Sequence, residues 1–519
     1  MTLPRFQSRV FDALGPNLSR ASLSDVAHQL ESVTVTLIAA DETQSHHEQI
    51  VGFKYLCNLA ARLYPSIRLL GPNAVTKVAI EEIHRINPVC DVDVAKSATN
   101  HSVRWGEGPK ETNDLAISTR GWTVDVRKPG PVLGVPSNPL VTMAAAALAA
   151  GELFRDVFSP LLNLQAPKVD GYELALLPDS VSLPLQIDLG RFHLAGAGAV
   201  GQAMIAALSE IPVVGELIVV DPETVSLSNL QRYLLTGDND VGMSKVALAA
   251  RALRNSGLDC KAIEAEWALD AEGIGVVETV CTALDSASAR IAVQSALPKV
   301  IYNAWTQPAD LGWSRHEGFG IQPCLACLYW PLGQRPGQHV LIARALKQPE
   351  LRVLAYLTHN VPVNIPLLPG QVPQIAVLPA PPDVKGWSER SLLEDIGGTL
   401  SIQSATLSSW NGRVISDLYR EGICGGAIVG ARSGVLSSDV AVPLAHQSAL
   451  AGIMLALSLV TAKSQELRTV RSSHAECRLD MNATFPRIVT SPRTKTPGCF
   501  CSDADFISRY RDKWHLENV

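Results

Sequence analysis

The stretch that decides the fold is Phe192-His-Leu-Ala-Gly196-Ala-Gly198-Ala-Val-Gly201. Its first residues are apolar and read as a strand. Three glycines then follow at the spacing G-x-G-x-x-G, and a helix is expected to run from them to about Glu210. The glycines let the backbone turn tightly and approach a phosphate. The helix N-terminus adds N–H groups and a positive dipole. A further strand is expected over Glu216 to Val220, and Asp221 at its end is placed to bind ribose hydroxyls. Up to that point the chain reads only as nucleotide-binding, and a dehydrogenase is the leading reading.

The residues that follow argue against a dehydrogenase. The loop reads Asp221-Pro-Glu-Thr-Val-Ser-Leu-Ser-Asn-Leu-Gln-Arg232, and Val241-Gly-Met-Ser-Lys245 opens the next helix, expected over Ser244 to Asn255. Asn229, Arg232 and Lys245 are three groups able to grip a triphosphate. Arg232 and Lys245 would neutralise the charge that develops as pyrophosphate leaves. Leu284-Asp285-Ser-Ala-Ser-Ala-Arg290 sets a carboxylate after another strand-like run, a natural place for a Mg²⁺ ligand.

Ten cysteines are too sparse in a chain of this length for a disulfide scaffold. Cys324 and Cys327 form a CxxC, and Cys499 and Cys501 form a CxC. Two thiolate pairs far apart in sequence suit a closed tetrahedral Zn²⁺ site, with Cys477 as an alternative ligand and buried free thiols as the plainer alternative. Cys424 stands among glycines in Glu421-Gly-Ile-Cys-Gly-Gly-Ala-Ile428 and has no other cysteine near it. A thiolate there is either an accessible nucleophile or a small buried residue in a turn.

Outward from this centre, 519 residues at 47% hydrophobic and 18% charged imply two or three domains. A net charge of -6 makes nucleic acid a poor partner. Arg5, Arg9 and Asp12 interrupt the N-terminus, so no signal peptide is expected. The apolar stretches Val141–Leu153 and Pro443–Val460 read as buried helices rather than membrane spans, and a cytoplasmic protein is the simplest class. Residues 1–160 alternate strands (Val33–Ala39, Ile67–Leu70, Cys90–Val94) with helices (His47–Tyr64, Val75–Ile86, Asn138–Phe158), without a glycine-rich loop after the first strand. Residues 161–185 read as a linker and 186–519 as the nucleotide domain. That domain carries a Pro-rich insertion over about 331–410, expected to be extended or loop-rich. A helix is expected over Leu444–Ala462.

Five elements in order carry a resemblance: the glycine motif, the loop from Asp221 to Arg232, Lys245, Asp285 before Arg290, and the cysteine pairs. The chain resembles the ThiF/MoeB and ubiquitin-activating-enzyme superfamily, strongly over Arg191–Cys327 and more loosely over Gly422–Cys501. The resemblance implies an α/β Rossmann-like adenylation domain that uses ATP, Mg²⁺ and Zn²⁺. It implies that Gly196, Gly198, Gly201, Asp221, Asn229, Arg232 and Lys245 hold the nucleotide, with Asp285 on the magnesium. Glu223 stands where the family has a second Asp, which keeps the charge on a longer arm. Cys424 lies in the region where thioester-forming members carry their cysteine. Ile86-Asn-Pro-Val-Cys-Asp-Val-Asp-Val94 is similar to the segment after the second helix of an adenylation domain, so the N-terminal region is expected to be a degenerate, nucleotide-free copy. A pseudo-dimer within one chain, or a homodimer, follows; Arg5 or Arg9 could reach a neighbouring ATP, and surface arginines on an amphipathic helix are the plainer reading of each. The expected partners are a ubiquitin-like protein and a conjugating enzyme, as in a bacterial ubiquitin-like conjugation operon. The alternatives are adenylation of a sulfur-carrier protein in thiamin or molybdenum-cofactor synthesis, a scaffold with a relic site, and a nicotinamide dehydrogenase.

Overall fold

A computed structural model describes residues 23–94, 98–106, 115–127, 137–161, 171–267, 273–307, 310–329, 338–372, 384–400, 407–408, 410–415, 444–467, 475–481 and 486–516. The N-terminal region builds one twisted sheet. β1 (Val35–Ala39), β2 (Ser66–Leu70), β3 (Asp91–Val94), β4 (His101–Trp105) and β5 (Leu115–Arg120) are parallel. β6 (Thr123–Arg127) and β7 (Tyr172–Ala175) extend it antiparallel, in the order β3-β2-β1-β4-β5-β6-β7. β1 is buried at every position and β-branched at three of its five, as suits a central parallel strand. Helices α1 (His47–Ala61), α2 (Asn73–Ile86) and α3 (Pro139–Phe158) cover the sheet. α3 opens as the Asn-Pro signal predicts: the Asn138 side chain accepts from the Val141 N–H, and Pro139 occupies the first turn.

The second sheet repeats that strand order. β8 (Ile187–Ala195), β9 (Val213–Val220), β10 (Gly257–Ile263), β11 (Thr279–Thr282) and β12 (Val300–Thr306) are parallel, in the order β10-β9-β8-β11-β12. β13 (Asp310–Glu317), β14 (Ala475–Asp480) and β15 (Ile488–Pro492) follow antiparallel. Its helices are α4 (Ala199–Ser209), α5 (Lys245–Leu253) and α6 (Ala287–Ser295). In both sheets the first strand stands between the second and the fourth, so the chain contains the same α/β topology twice. In such sheets ligands bind at the carboxyl ends of the strands where the order reverses. Here that point lies between β8 and β11.

Two differences from expectation have local causes. The residues read as a linker contain β7, a four-residue edge strand in which only Leu174 of its two apolar-facing positions is buried. Surrounding prolines mask so short a signal. Asp179 ties the same segment to the sheet by accepting from the Trp122 N–H and the Thr123 hydroxyl. Among the described residues the insertion, expected to be extended or loop-rich, contains the helices α7 (Gln338–Leu346), α8 (Glu350–His359) and α9 (Leu392–Leu400). Pro362, Pro366 and Pro369 fall after α8, so they end helical structure rather than preclude it. Ile342, Leu346, Val353, Tyr356, Trp387 and Leu392 give this segment its own core, which reaches Ile415.

After the insertion the chain returns as α10 (Ala445–Lys463), which packs on α3, α4, β8, β12 and β13. Among the described residues it is the one helix long and apolar enough to cross a membrane, and 94% of its apolar window is buried in the protein. α11 (Ala504–Trp514) follows the last cysteines.

Candidate functional site

The glycine turn leaves β8 at its buried end. Gly196 takes φ +95°, and a Cβ there would stand 3.0 Å from the Ala283 carbonyl at the end of β11. A Cβ on Gly201 would lie 2.1 Å from the Gly196 carbonyl, so α4 can start this close to the strand only with glycine. Gly198 is different. Its Cβ would meet only the Tyr233 hydroxyl, at 3.6 Å. It is the N-cap of α4, and no side chain caps the helix there. The first-turn N–H groups are therefore left to a ligand or solvent.

Asp221 follows β9 and is 7% exposed. Its carboxylate accepts from the Ala197 N–H at 2.7 Å and from the Glu223 N–H at 2.9 Å. Burial raises its pKa, with Lys245 and these two amides acting in the opposite direction. Glu223 is more accessible, and its carboxylate accepts from Lys245 Nζ. Lys245 begins α5 with its side chain 3% exposed. Nζ also lies 3.2 Å from the Tyr233 hydroxyl. Burial pulls the Lys245 pKa down, but Tyr233, Asp221 and Glu223 together raise it above the ordinary lysine value. The ammonium is thus a fixed positive charge.

Asn229 Oδ1 accepts from the Ser226 N–H at 2.9 Å and closes a capping box on the short turn Leu227–Gln231. That turn delivers Arg232, which is half-buried and makes no side-chain hydrogen bond or ion pair among the described residues. Asp285 lies exposed after β11. Arg290 sets its turn: the buried guanidinium donates to the Leu284 carbonyl, to Asn303 Oδ1 and, at 2.9 Å, to the Ala304 carbonyl. The loops after β8, β9 and β11 thus meet: Asp221 joins the Ala197 and Glu223 amides, Lys245 bridges Glu223 and Tyr233, Tyr233 approaches Gly198, and Gly196 lies against Ala283, two residues before the exposed Asp285. Sequence reasoning missed Tyr233. The residue directly after Arg232 was the available signal, since the same turn carries both.

The cysteine pairs form a separate centre. The four Sγ atoms of Cys324, Cys327, Cys499 and Cys501 lie within 4.8 Å of one another, all buried. Cys324 faces Cys499 at 3.6 Å and Cys327 faces Cys501 at 3.4 Å, far longer than a disulfide. These separations suit four thiolates around one ion with metal–sulfur bonds of about 2.3 Å. The Thr496 N–H also donates to Cys327 Sγ at 3.5 Å. Cys477 lies elsewhere, on β14 beside Thr490, and takes no part. α11 docks next to the cluster through Lys513 Nζ on the Ala296 carbonyl and Trp514 Nε1 on the Leu297 carbonyl. Cys424, Arg5 and Arg9 lie outside the described residues.

The comparisons with known proteins bear on the family. The model of the ThiF family matches residues 181–339. The uncharacterized protein y4jF of Sinorhizobium fredii is 32% identical over 534 aligned residues, covering 99% of this chain and 98% of that protein. The SAMP-activating enzyme E1 of Haloferax volcanii is 35% identical over 115 residues, 22% of this chain and 42% of that enzyme. The adenylyltransferase and sulfurtransferase MOCS3 of Mus musculus is 31% identical over 209 residues, 38% of this chain and 40% of that one.

Proposed function

We propose, because this chain belongs to the ThiF family within the ThiF/MoeB and ubiquitin-activating-enzyme superfamily, that it activates the C-terminus of a ubiquitin-like protein with ATP and passes it on as a thioester. Adenylyl transfer to a ubiquitin-like or sulfur-carrier protein is the activity the family supports. The observation that carries ATP is the pairing of an uncapped glycine turn with Lys245, whose buried ammonium is held charged beside it. The open position at Gly198, together with Arg232 making no ion pair among the described residues, fits a triphosphate.

In this reading the glycine turn and the α4 N-terminus receive the phosphates. Asp221 and Glu223 stand by the ribose, and Asp221 also braces the turn. A terminal carboxylate oxygen attacks the α-phosphorus; that O–P bond forms as the bond to pyrophosphate breaks. Asn229, Arg232 and Lys245 stabilise the charge leaving with pyrophosphate. Asp285 would hold Mg²⁺, which shields the phosphate charge. A cysteine thiolate then attacks the acyl carbon, a C–S bond forms, and AMP leaves. Cys424 is the proposed nucleophile, on the strength of its sequence context. The four-cysteine cluster would hold Zn²⁺ as a structural ion, away from the reacting atoms.

The insertion with its own core and the doubled α/β topology favour a conjugation enzyme that works with a conjugating-type partner, as a pseudo-dimer within one chain. A cytoplasmic setting belongs to the same reading; the one described helix long and apolar enough to cross a membrane is buried in the core. The similarity to MOCS3 favours a second reading, activation of a sulfur-carrier protein. Both require pyrophosphate exchange into ATP that depends on the small protein substrate. Only the first also requires a thiol-reducible adduct on a gel. Purified protein that neither binds ATP nor exchanges pyrophosphate would overturn both.

A further inference from the structure

We infer that Arg62, which belongs to the N-terminal sheet's helices, positions the segment of the second sheet that carries Arg232 and Tyr233. The inference rests on the ATP site proposed above and adds a role for the half of the chain without a glycine turn.

Arg62 caps the C-terminus of α1 and is 1% exposed. Its guanidinium has no carboxylate partner among the described residues. It donates instead to backbone carbonyls of the other half: to Leu230 through Nη1, and to Leu234 and Thr236 through Nη2, at 3.0 Å each. Nε donates to Asn58 Oδ1 at 2.9 Å. Asn58 Nδ2 in turn reaches the Leu234 carbonyl at 3.1 Å, and Arg85 Nη1 reaches the Leu235 carbonyl at 3.0 Å. Glu82 accepts from both Asn58 and Arg85 and so fixes the two donors. A Cβ on Gly237 would collide with the Arg85 carbonyl at 2.4 Å, so the two segments run in close contact. Burial, reinforced by Arg85, lowers the Arg62 pKa to about 9, with Glu82 and Asp240 opposing, and the group stays cationic at neutral pH.

The clamped segment has no long helix or strand of its own. The backbone of residues 230–236 is instead tied from one side by Arg62, Asn58 and Arg85. On the other side Tyr233 approaches Gly198 and Lys245. A loop held only by its own short turns samples several positions, and an error of about 1 Å in a charge-bearing group can cost about 100-fold in rate. Three carbonyls on one planar fork fix the segment in a way that a single donor cannot. Arg62 is therefore a positioning residue that acts through Arg232 and Tyr233.

The test uses the full-length protein. Arg62→Met should raise the ATP KM in pyrophosphate exchange by about 10- to 100-fold and lower kcat less. It should also speed amide hydrogen exchange in 230–236 while both sheets stay protected. Arg62→Lys, keeping one donor, should fall between wild type and Met. Arg85→Ala, at a half-exposed side chain, should shift KM and exchange in the same direction by less and gives the reading if Arg62→Met does not fold. Unchanged KM and unchanged local exchange in these variants would overturn the inference, as would faster exchange throughout both sheets. Wild type that fails to bind ATP would sink the functional reading instead, leaving the exchange of 230–236 to judge the clamp.

Discussion

The carboxylate of Asp221 takes the backbone N–H of Ala197 at 2.7 Å, so the loop after β9 holds the glycine turn after β8 in shape. Asp221→Ala should leave that buried amide and the Glu223 amide without their acceptor. A loss of about 1–3 kcal/mol in unfolding free energy is expected, measured by urea denaturation. ATP affinity should fall as well. Asp221→Asn retains one acceptor and should lie between the two.

Asp285→Ala should abolish pyrophosphate exchange with little change in stability. Its carboxylate is exposed and has no hydrogen bond or ion pair among the described residues, so the fold does not depend on it. Undiminished exchange at limiting Mg²⁺ would remove Asp285 from the metal site.

Purified protein should carry about one Zn²⁺ per chain by elemental analysis. Cys501→Ser should lower the metal content and the melting temperature together, because Cys324, Cys327 and Cys499 remain as an incomplete set in a buried position. Cys477→Ser should keep its zinc. Fully folded, active, metal-free wild type would end the idea.

Cys424→Ala should keep pyrophosphate exchange and lose the reducible adduct with the ubiquitin-like protein. Adenylation needs positioned phosphates and no thiol, whereas thioester formation requires the thiolate. An adduct that survives the substitution would place the nucleophile at another cysteine.

Acid should weaken the protein through His446. Burial on α10, together with Arg155, pulls its pKa down to about 3, from an ordinary value of 6.5. The unfolded chain therefore binds a proton that the folded chain refuses. The stability owed to this group is complete above pH 6.5 and is lost progressively as pH falls toward 3. By pH 5 the loss is about 2 kcal/mol. Urea midpoints at pH 7 and pH 5 should converge in His446→Leu relative to wild type. An equal pH dependence in both would contradict this.

Much of the site could be read from the chain because it is local. Gly196 to Gly201 lead from β8 into α4, and Asp221, Arg232 and Lys245 lie along the connection from β9 to the start of α5, where spacing largely sets their neighbourhood. The CxxC and CxC pairs could be matched because thiols group for few reasons. Arg62 was not legible. Its partners are backbone carbonyls 168 to 174 positions away, and a carbonyl acceptor leaves no trace in residue identity. β7 was hidden because four residues at a sheet edge give too short an alternation. The insertion's helix α8 was hidden because Pro349 and Pro362 bound a short apolar period, carried by Val353 and Tyr356.

The repeated topology has an evolutionary consequence. Where two identical subunits build a site, every substitution is made twice, and one helix must satisfy both surroundings. Here the corresponding helices are α1 and α4, each following the first strand of its sheet, and separate codons specify them. α4 could keep a glycine turn and an uncapped start, while α1 acquired Arg62 at its far end. A single inheritance of two unlike halves therefore lets each helix change without its counterpart, a division of labour closed to a symmetric pair.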